Sequence, residues 1–360
     1  LAQPFRFLAH NGEINTITGN RQWARARQYK FSSPLLSDLQ DAAPFVSQSG
    51  SDSSSLDNML ELLLAGGMDL FRAMRLLVPP AWQGNRVMDD NLKAFYEFNS
   101  MHMEPWDGPA GIVMTNGRHA ACAVDRNGLR PSRYVITKDR ILTLASEVGI
   151  WDYAADEVIE KGRVGPGELL VLDTLNGRLY QSFEIDNDLK RRHPYKEWMA
   201  KNSRTLIPAE QLTTEQHGAS ELSPEQLLQY QKQFGYTREE LEQVIWVLAK
   251  QGEEATGSMG DDTPMAVLSK KSRSLYDYFR QKFAQVTNPP IDPLREKHVM
   301  SLATCIGREQ NLFNETTGHA YRVMFNSPIL LFSDFNQLLG LDSTYYRANI
   351  VDLNYDPKEG

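Results

Sequence analysis

Apolar positions recur at helical spacing in the first half of the chain. Leu56, Met59, Leu60, Leu63 and Leu64 predict an amphipathic helix over the region from Ser53. Ser53, Ser54 or Ser55 can cap it, because a hydroxyl accepts from the free amides of a first turn. Gly66-Gly67 interrupts the pattern. It resumes from Met68 to Leu77, with Phe71, Met74 and Leu77 on one face, and Pro79-Pro80 ends it. Between residues 110 and 185 the period falls to two. Gly111–Thr115 and Arg118–Val124 flank Asn116-Gly117, and Leu169–Thr174 and Arg178–Phe183 flank Asn176-Gly177. Asn-Gly tolerates the positive φ of a two-residue hairpin turn, so both pairs predict hairpins. Tyr134–Thr137 and Ile141–Ala145 predict a third. Helices beside antiparallel strands make the first domain layered α and β. Residues 1–50 read as polar and broken by Gly and Pro, with a short helix over Asn20–Tyr29.

The pattern changes near residue 205. Glu210 to Asp262 carries eleven acids against three bases, a solvated helical stretch that opens a second domain. Ser223, Pro224 and Gln226 form a capping box with proline at the first helical position, and Thr237 with Glu240 repeats the box. Leu241, Val244, Ile245 and Leu248 give the second of these helices a face to bury. A further helix is expected over Ser274–Val286, and His298–Tyr346 reads as α/β. The division is 1–205 and 206–360.

Composition narrows the function. The 360 residues are 41% hydrophobic, with 15 Phe, 14 Tyr and 6 Trp, enough for a packed core. A formal charge of −8 disfavours a phosphate backbone as partner. No apolar stretch is long enough to span a bilayer, and no signal peptide opens the chain. With two cysteines, Cys122 and Cys305, and no disulfide framework, a cytoplasmic setting is expected. The seven histidines show no His-x3-His pair, and there is no Cys-x-x-Cys, so no metal site is expected. Met101-His102-Met103 beside Trp106 reads as core packing rather than a soft ligand set.

Two short segments carry candidate chemistry. His10-Asn11-Gly12-Glu13 can aim the Asn11 amide and the Gly12 backbone N–H at one point, the pair of donors a tetrahedral oxyanion needs. It can equally be an ordinary turn. Asp52, in Gly50-Ser51-Asp52-Ser53, can pair with a substrate ammonium or simply cap the helix that follows. The residues alone leave both choices open.

A resemblance chooses between them. Leu8-Ala9-His10-Asn11-Gly12-Glu13-Ile14-Asn15-Thr16, Gly50-Ser51-Asp52-Ser53 and Glu104-Pro105-Trp106-Asp107-Gly108-Pro109-Ala110 resemble segments of the bacterial-type glutamate synthase large subunit. So do Asp125-Arg126-Asn127-Gly128-Leu129-Arg130-Pro131, Ala145-Ser146-Glu147 and Gly165-Pro166-Gly167-Glu168. In the second part, Met259–Pro264, Gln285–Arg295 and Ser327–Leu331 match in the same order. The resemblance covers essentially the whole chain.

It implies an α+β and α/β fold: an incomplete N-terminal-nucleophile αββα sandwich, followed by part of an α/β central domain. The first domain is then a class II glutamine amidotransferase, whose nucleophile is the cysteine opening the mature chain. Asn11 and Gly12 become its oxyanion hole and Asp52 the partner of the glutamine ammonium. The arginine that holds the substrate carboxylate in relatives falls before residue 1, and Arg6 is not assigned to that role. Gly108, Asp125, Gly128, Arg130 and Glu147 shape the loops around the pocket, with Arg130 buried against Asp125 or Glu147. The family passes ammonia to 2-oxoglutarate in a later domain that holds FMN and an iron–sulfur cluster. NADPH through a small subunit is the implied donor, with ferredoxin as the family alternative.

Leu1 stands where no initiating Met does, and neither cysteine is N-terminal. The expectation is a fragment that lacks its nucleophile and is inactive alone. Two rival classes stand beside it: a stand-alone amidohydrolase using Cys122 with His10 or His119, and a non-catalytic scaffold or regulatory fragment.

Overall fold

The computed structural model describes residues 5–147, 149–207, 211, 222–255, 268–271, 302–341 and 346–351. The expected helix at 274–286 and the motifs at 259–264 and 285–295 lie outside the described residues.

Five antiparallel strands form the larger sheet, in the order β1 (Leu8–Gly12), β2 (Ala110–Thr115), β3 (His119–Val124), β7 (Leu169–Asp173) and β8 (Arg178–Tyr180). A smaller antiparallel sheet sets β4 (Arg133–Thr137) between β5 (Leu142–Ala145) and β6 (Val158–Arg163). All three expected hairpins form. Gly117 and Gly177 take φ of +89° and +67°, the left-handed conformation their turns require.

Strands β3 and β7, in the interior of the larger sheet, carry buried residues on both faces. Along β3, Ala121 and Ala123 join the main core while Cys122 and Val124 point the other way, as a period of two demands. On the first face lie α2 (Asp52–Ala65), α3 (Leu70–Leu77) and α4 (Asp90–Ser100), which contribute Leu60, Leu63, Met74, Leu77, Phe95 and Phe98. On the second face Cys122, Val124 and Leu170 meet Tyr134 and Leu144 of the smaller sheet. Helices, large sheet and small sheet are therefore stacked in that order. Met101, His102 and Met103 are buried, as the packing reading expects.

Strands β1 and β6 and helix α4 are among the elements not expected from the sequence pattern above. Strand β1 presents only one fully buried side chain, Leu8, so its alternation is faint. Strand β6 carries no fully buried residue. Helix α4 has a readable signal after all, since Asp89 caps it by accepting from Asn91 N and Leu92 N, ahead of Phe95 and Phe98.

The cap of α2 also differs from expectation. Ser51 is the N-cap, with its hydroxyl accepting from Ser54 N at 3.1 Å, so Asp52 is the first helical residue. Ser51→Ala is expected to lower unfolding stability by about 1 kcal/mol, read as a lower denaturation midpoint.

The chain folds into two compact units. One joins Leu1–Gln211 with Pro293–Gly360, and the other is Leu212–Asp292. Residues 302–341, placed by sequence in the second domain, pack within the first unit. There Leu312, Ala320 and Val323 are buried. A third sheet has the order β10 (Thr304–Ile306), β11 (Val323–Phe325) and β9 (Arg204–Thr205), with β11 parallel to β9. In the other unit, helix Pro224–Gln233 and the helical run from Arg238 to Gln251 start at the two expected capping boxes. The face expected to be buried is only partly covered: Val244 and Leu248 are about half exposed, and Leu241 and Ile245 are half-buried. Two short helices supply too little apolar surface to bury such a face by themselves.

Candidate active site

Strand β1 is the outermost strand of its sheet among the described residues, and helix α2 holds its entrance. The buried Asp57 carboxylate accepts from three successive amides, Arg6 N at 2.8 Å, Phe7 N at 3.0 Å and Leu8 N at 2.9 Å. The exit of β1 is held by the start of the same helix. Ile14 N donates to Asp52 Oδ2 at 2.7 Å, and His10 Nδ1 lies 2.9 Å from Ser53 Oγ. Two motifs about forty residues apart in sequence thus meet at one point. The residues on either side of Asn11 and Gly12, His10 and Ile14, are thereby set against Ser53 and Asp52.

Arg21 fixes the loop that delivers Asp52, donating to Gly50 O at 2.6 Å and to Ser55 Oγ at 3.0 Å. One carboxylate oxygen of Asp52 is occupied by Ile14 N. The other faces Ser53 Oγ at 3.5 Å, too long for a good hydrogen bond. The side chain keeps 24% of its surface exposed, so it can receive a cationic group from solvent.

The His10 side chain is fully buried beside it, with Nδ1 4.0 Å from Asp52 Oδ2. Burial pulls its pKa below the ordinary 6.5, against the attraction of Asp52, so the ring is neutral at neutral pH. Asn11 points outward, and its Nδ2 donates to Ser146 Oγ at 3.2 Å. An amide nitrogen carries two hydrogens, so a second donor remains. Ala9, Asn11, Gly111, Pro131, Ala145 and Ser146 border a cavity of about 280 Å³ between β1 and the small sheet. That size is near the lower end for small-molecule sites.

The remaining motifs interlock around this turn. Glu13 N donates to Pro109 O at 2.9 Å, and Asn15 N to Asp107 O at 2.8 Å. The buried Asp125 carboxylate accepts from Ala110 N at 3.0 Å, Asn127 N at 3.0 Å and Leu129 N at 3.1 Å. Gly128 approaches Pro166 so closely that a Cβ would sit 2.8 Å from its Cγ. The expected burial of Arg130 against Asp125 or Glu147 is not seen, since Arg130 and Glu147 are both exposed. The buried arginine of that motif is Arg126, whose Nε donates to Asp107 Oδ1 at 2.7 Å. The tight loop wound around the Asp125 carboxylate directs Arg126 inward and Arg130 out.

Cys122 is fully buried, and its Sγ lies 2.7 Å from Ser132 Oγ. Burial raises the thiol pKa, which makes it a packing residue rather than a nucleophile. This removes the basis of the stand-alone amidohydrolase reading. Among the described residues no His, Cys, Asp and Glu side chains cluster in a way that could hold a metal ion, and no helix is long and apolar enough to cross a membrane.

The model of the class-II glutamine amidotransferases matches residues 1–198, and the chain belongs to that family. Residues 229–359 match the glutamate synthase central domain. The glutamate synthase [NADPH] large chain of Azospirillum brasilense is 41% identical over 339 residues, 94% of this chain and 22% of the relative. The ferredoxin-dependent glutamate synthase of Cyanidium caldarium is 44% identical over 93% of this chain and 21% of the relative. The glutamate synthase [NADH] of Saccharomyces cerevisiae is 40% identical over all of this chain and 17% of the relative. The chain therefore spans roughly a fifth of the length of the curated relatives it matches.

Proposed function

We propose that these residues form the glutamine site of a glutamate synthase, with the later part of an αββα amidotransferase sandwich at 1–205 and the start of the central domain at 206–360. The observation that carries this reading is that Ile14 and His10, on either side of the Asn11–Gly12 turn, are tied to Asp52 and Ser53, while Asn11 itself borders the cavity. Asp52 receives the α-ammonium of glutamine. A cysteine thiolate at the chain start of the parent enzyme attacks the side-chain amide carbon. Asn11 Nδ2 and Gly12 N–H take the charge that develops on the carbonyl oxygen. The α-amine of that cysteine, having taken the thiol proton, gives it to the amide nitrogen as the C–N bond breaks, ammonia leaves, and water then releases glutamate from the thioester.

Ammonia is then channelled to a second site, where 2-oxoglutarate is aminated and reduced in the cytoplasm. The iron–sulfur cluster of that reaction does not fit the residues here. A cluster takes about four thiolates, and this chain has two cysteines, of which Cys122 is sealed in the core. No step is routed through the cluster or the FMN. The bacterial large-chain relative favours NADPH through a small subunit, while the ferredoxin- and NADH-dependent relatives argue that the donor is chosen elsewhere in such enzymes.

The test compares two proteins. The 360-residue chain is expected to release no ammonia from glutamine, and a diazo-ketone analogue of glutamine should leave Cys122 unlabelled. The longer polypeptide bearing an N-terminal cysteine should turn over glutamine and lose that activity when this cysteine is replaced by alanine. Equal turnover by both proteins would overturn the reading.

A further inference from the structure

We propose that Arg27 and Glu309 are positioning residues that clamp the loop on which the Asn11–Gly12 turn rests. The proposal builds on the reading of that turn as the oxyanion site. The loop is 104–109. It underlies the turn through Pro109 O and Asp107 O, which accept from Glu13 N and Asn15 N, with Thr16 N at 3.3 Å from Asp107 O. The approach is so close at Gly108 that a Cβ there would collide with Glu13 O and lie 2.8 Å from Asn15 N. Wherever this loop moves, residues 13–16 must follow.

The far end of the loop is held by Arg27, at the C-terminus of α1 (Ile17–Arg27). Its Nη1 donates to the Glu104 carboxylate, and its Nε lies 3.2 and 3.3 Å from the two oxygens of Glu309. The guanidinium also sits 4.1 Å over the Trp23 ring. One cation thus serves two carboxylates whose side chains, like its own, are mostly covered: 11% of Arg27, 19% of Glu104 and 20% of Glu309 are exposed. Burial raises the Glu104 pKa above its ordinary value even beside Arg27. A charge pair this desolvated leaves a large penalty when one partner is removed.

Glu309 belongs to a segment anchored independently. Glu315 pairs with buried Arg72 at 3.3 Å and accepts from Tyr195 OH at 2.9 Å. His102 Nε2 lies 2.9 Å from His319 O, and Asn311 Nδ2 donates to Ser32 O at 2.6 Å. These bonds fix the segment without help from Glu309, which is then free to transmit its position to Arg27. The segment falls within the central-domain match, whereas Arg27 and Glu104 fall within the amidotransferase match. The oxyanion turn is therefore steadied by a carboxylate from the next domain in the sequence.

Residue-resolved amide exchange on the 360-residue chain tests this. Glu309→Gln should speed exchange at Glu13, Asn15 and Thr16 about tenfold, the loss of one charge-assisted contact, and leave the amides of β7 unchanged. Arg27→Met should do the same, and Arg27→Lys, which restores a cation, should recover most of the protection. Unchanged exchange at the three amides overturns the proposal. So does an acceleration spread evenly over β7, which marks a general loss of stability. If Arg27→Met does not fold, Glu309→Gln decides alone. The readout needs no turnover, so failure of the glutaminase reading and failure of the clamp are separate results.

Discussion

Replacing Gly12 with alanine is expected to cut glutamine hydrolysis about 10²- to 10³-fold, the scale of losing one oxyanion donor. The measurement is ammonia release by the longer polypeptide that carries the nucleophile. The cause is steric. A Cβ on Gly12 would overlap Pro109 O and stand 2.8 Å from His10 Nε2. Neither neighbour can yield cheaply. Pro109 O is backbone and already accepts from Glu13 N, and the His10 side chain is wholly buried with Nδ1 engaged at Ser53. The turn itself must move, and it carries both proposed donors, Asn11 Nδ2 and the Gly12 N–H. A ground-state contact would tolerate a shift of a few tenths of an ångström, whereas transition-state hydrogen bonds depend on aim. The loss should therefore fall on kcat and leave KM little changed. A variant with normal kcat would show that the Gly12 N–H is not a donor.

The sequence makes the helices and hairpins legible because their signals are local. Leu56, Met59, Leu60 and Leu63 state a helical face within eight residues, and Asn116-Gly117 states its turn in two. Strand β1 is not legible for a physical reason: what stabilises it is not in it. Its pairing comes from β2, about a hundred residues on, and its entry amides are satisfied by Asp57. Motifs single out the candidate residues Asn11, Gly12 and Asp52, but residues alone leave each with a bland alternative. What spacing cannot say is that Ile14 N and Asp52 Oδ2 lie 2.7 Å apart. Arg130 and Arg126 show the same limit at closer range. Both sit in one motif, and only the path of the chain around Asp125 decides which is buried. The motifs Glu104–Ala110 and Asp125–Pro131 read as neighbours of the pocket. The structure makes them its frame, joined through Ala110 N to Asp125 and through Arg126 to Asp107.

Asp52→Asn separates the two roles that sequence leaves open for this residue. The amide keeps an oxygen to accept from Ile14 N, so the helix start and the turn should survive, and the denaturation midpoint should stay near that of the wild type. What is lost is the negative charge offered to a substrate ammonium. Hydrogen bonds to charged groups contribute about 1.5–3 kcal/mol, so KM for glutamine should rise about 10- to 100-fold with kcat within a few-fold. His10 adds a sign to the pH dependence. Its folded pKa lies below 6.5, mainly through burial, with Asp52 opposing and Arg130 reinforcing the shift. Below that folded pKa the ring gains a proton 4.0 Å from Asp52 and competes with the substrate for its charge. The wild-type KM should therefore climb as pH falls through that lowered folded pKa. In Asp52→Asn the charge at issue is already gone, so KM should be high and nearly flat over the same range. Steady-state kinetics from pH 5 to 8 (about the span in which a histidine titrates) reads both effects. A variant that loses stability but binds glutamine normally would assign Asp52 to holding the turn at Ile14 N alone.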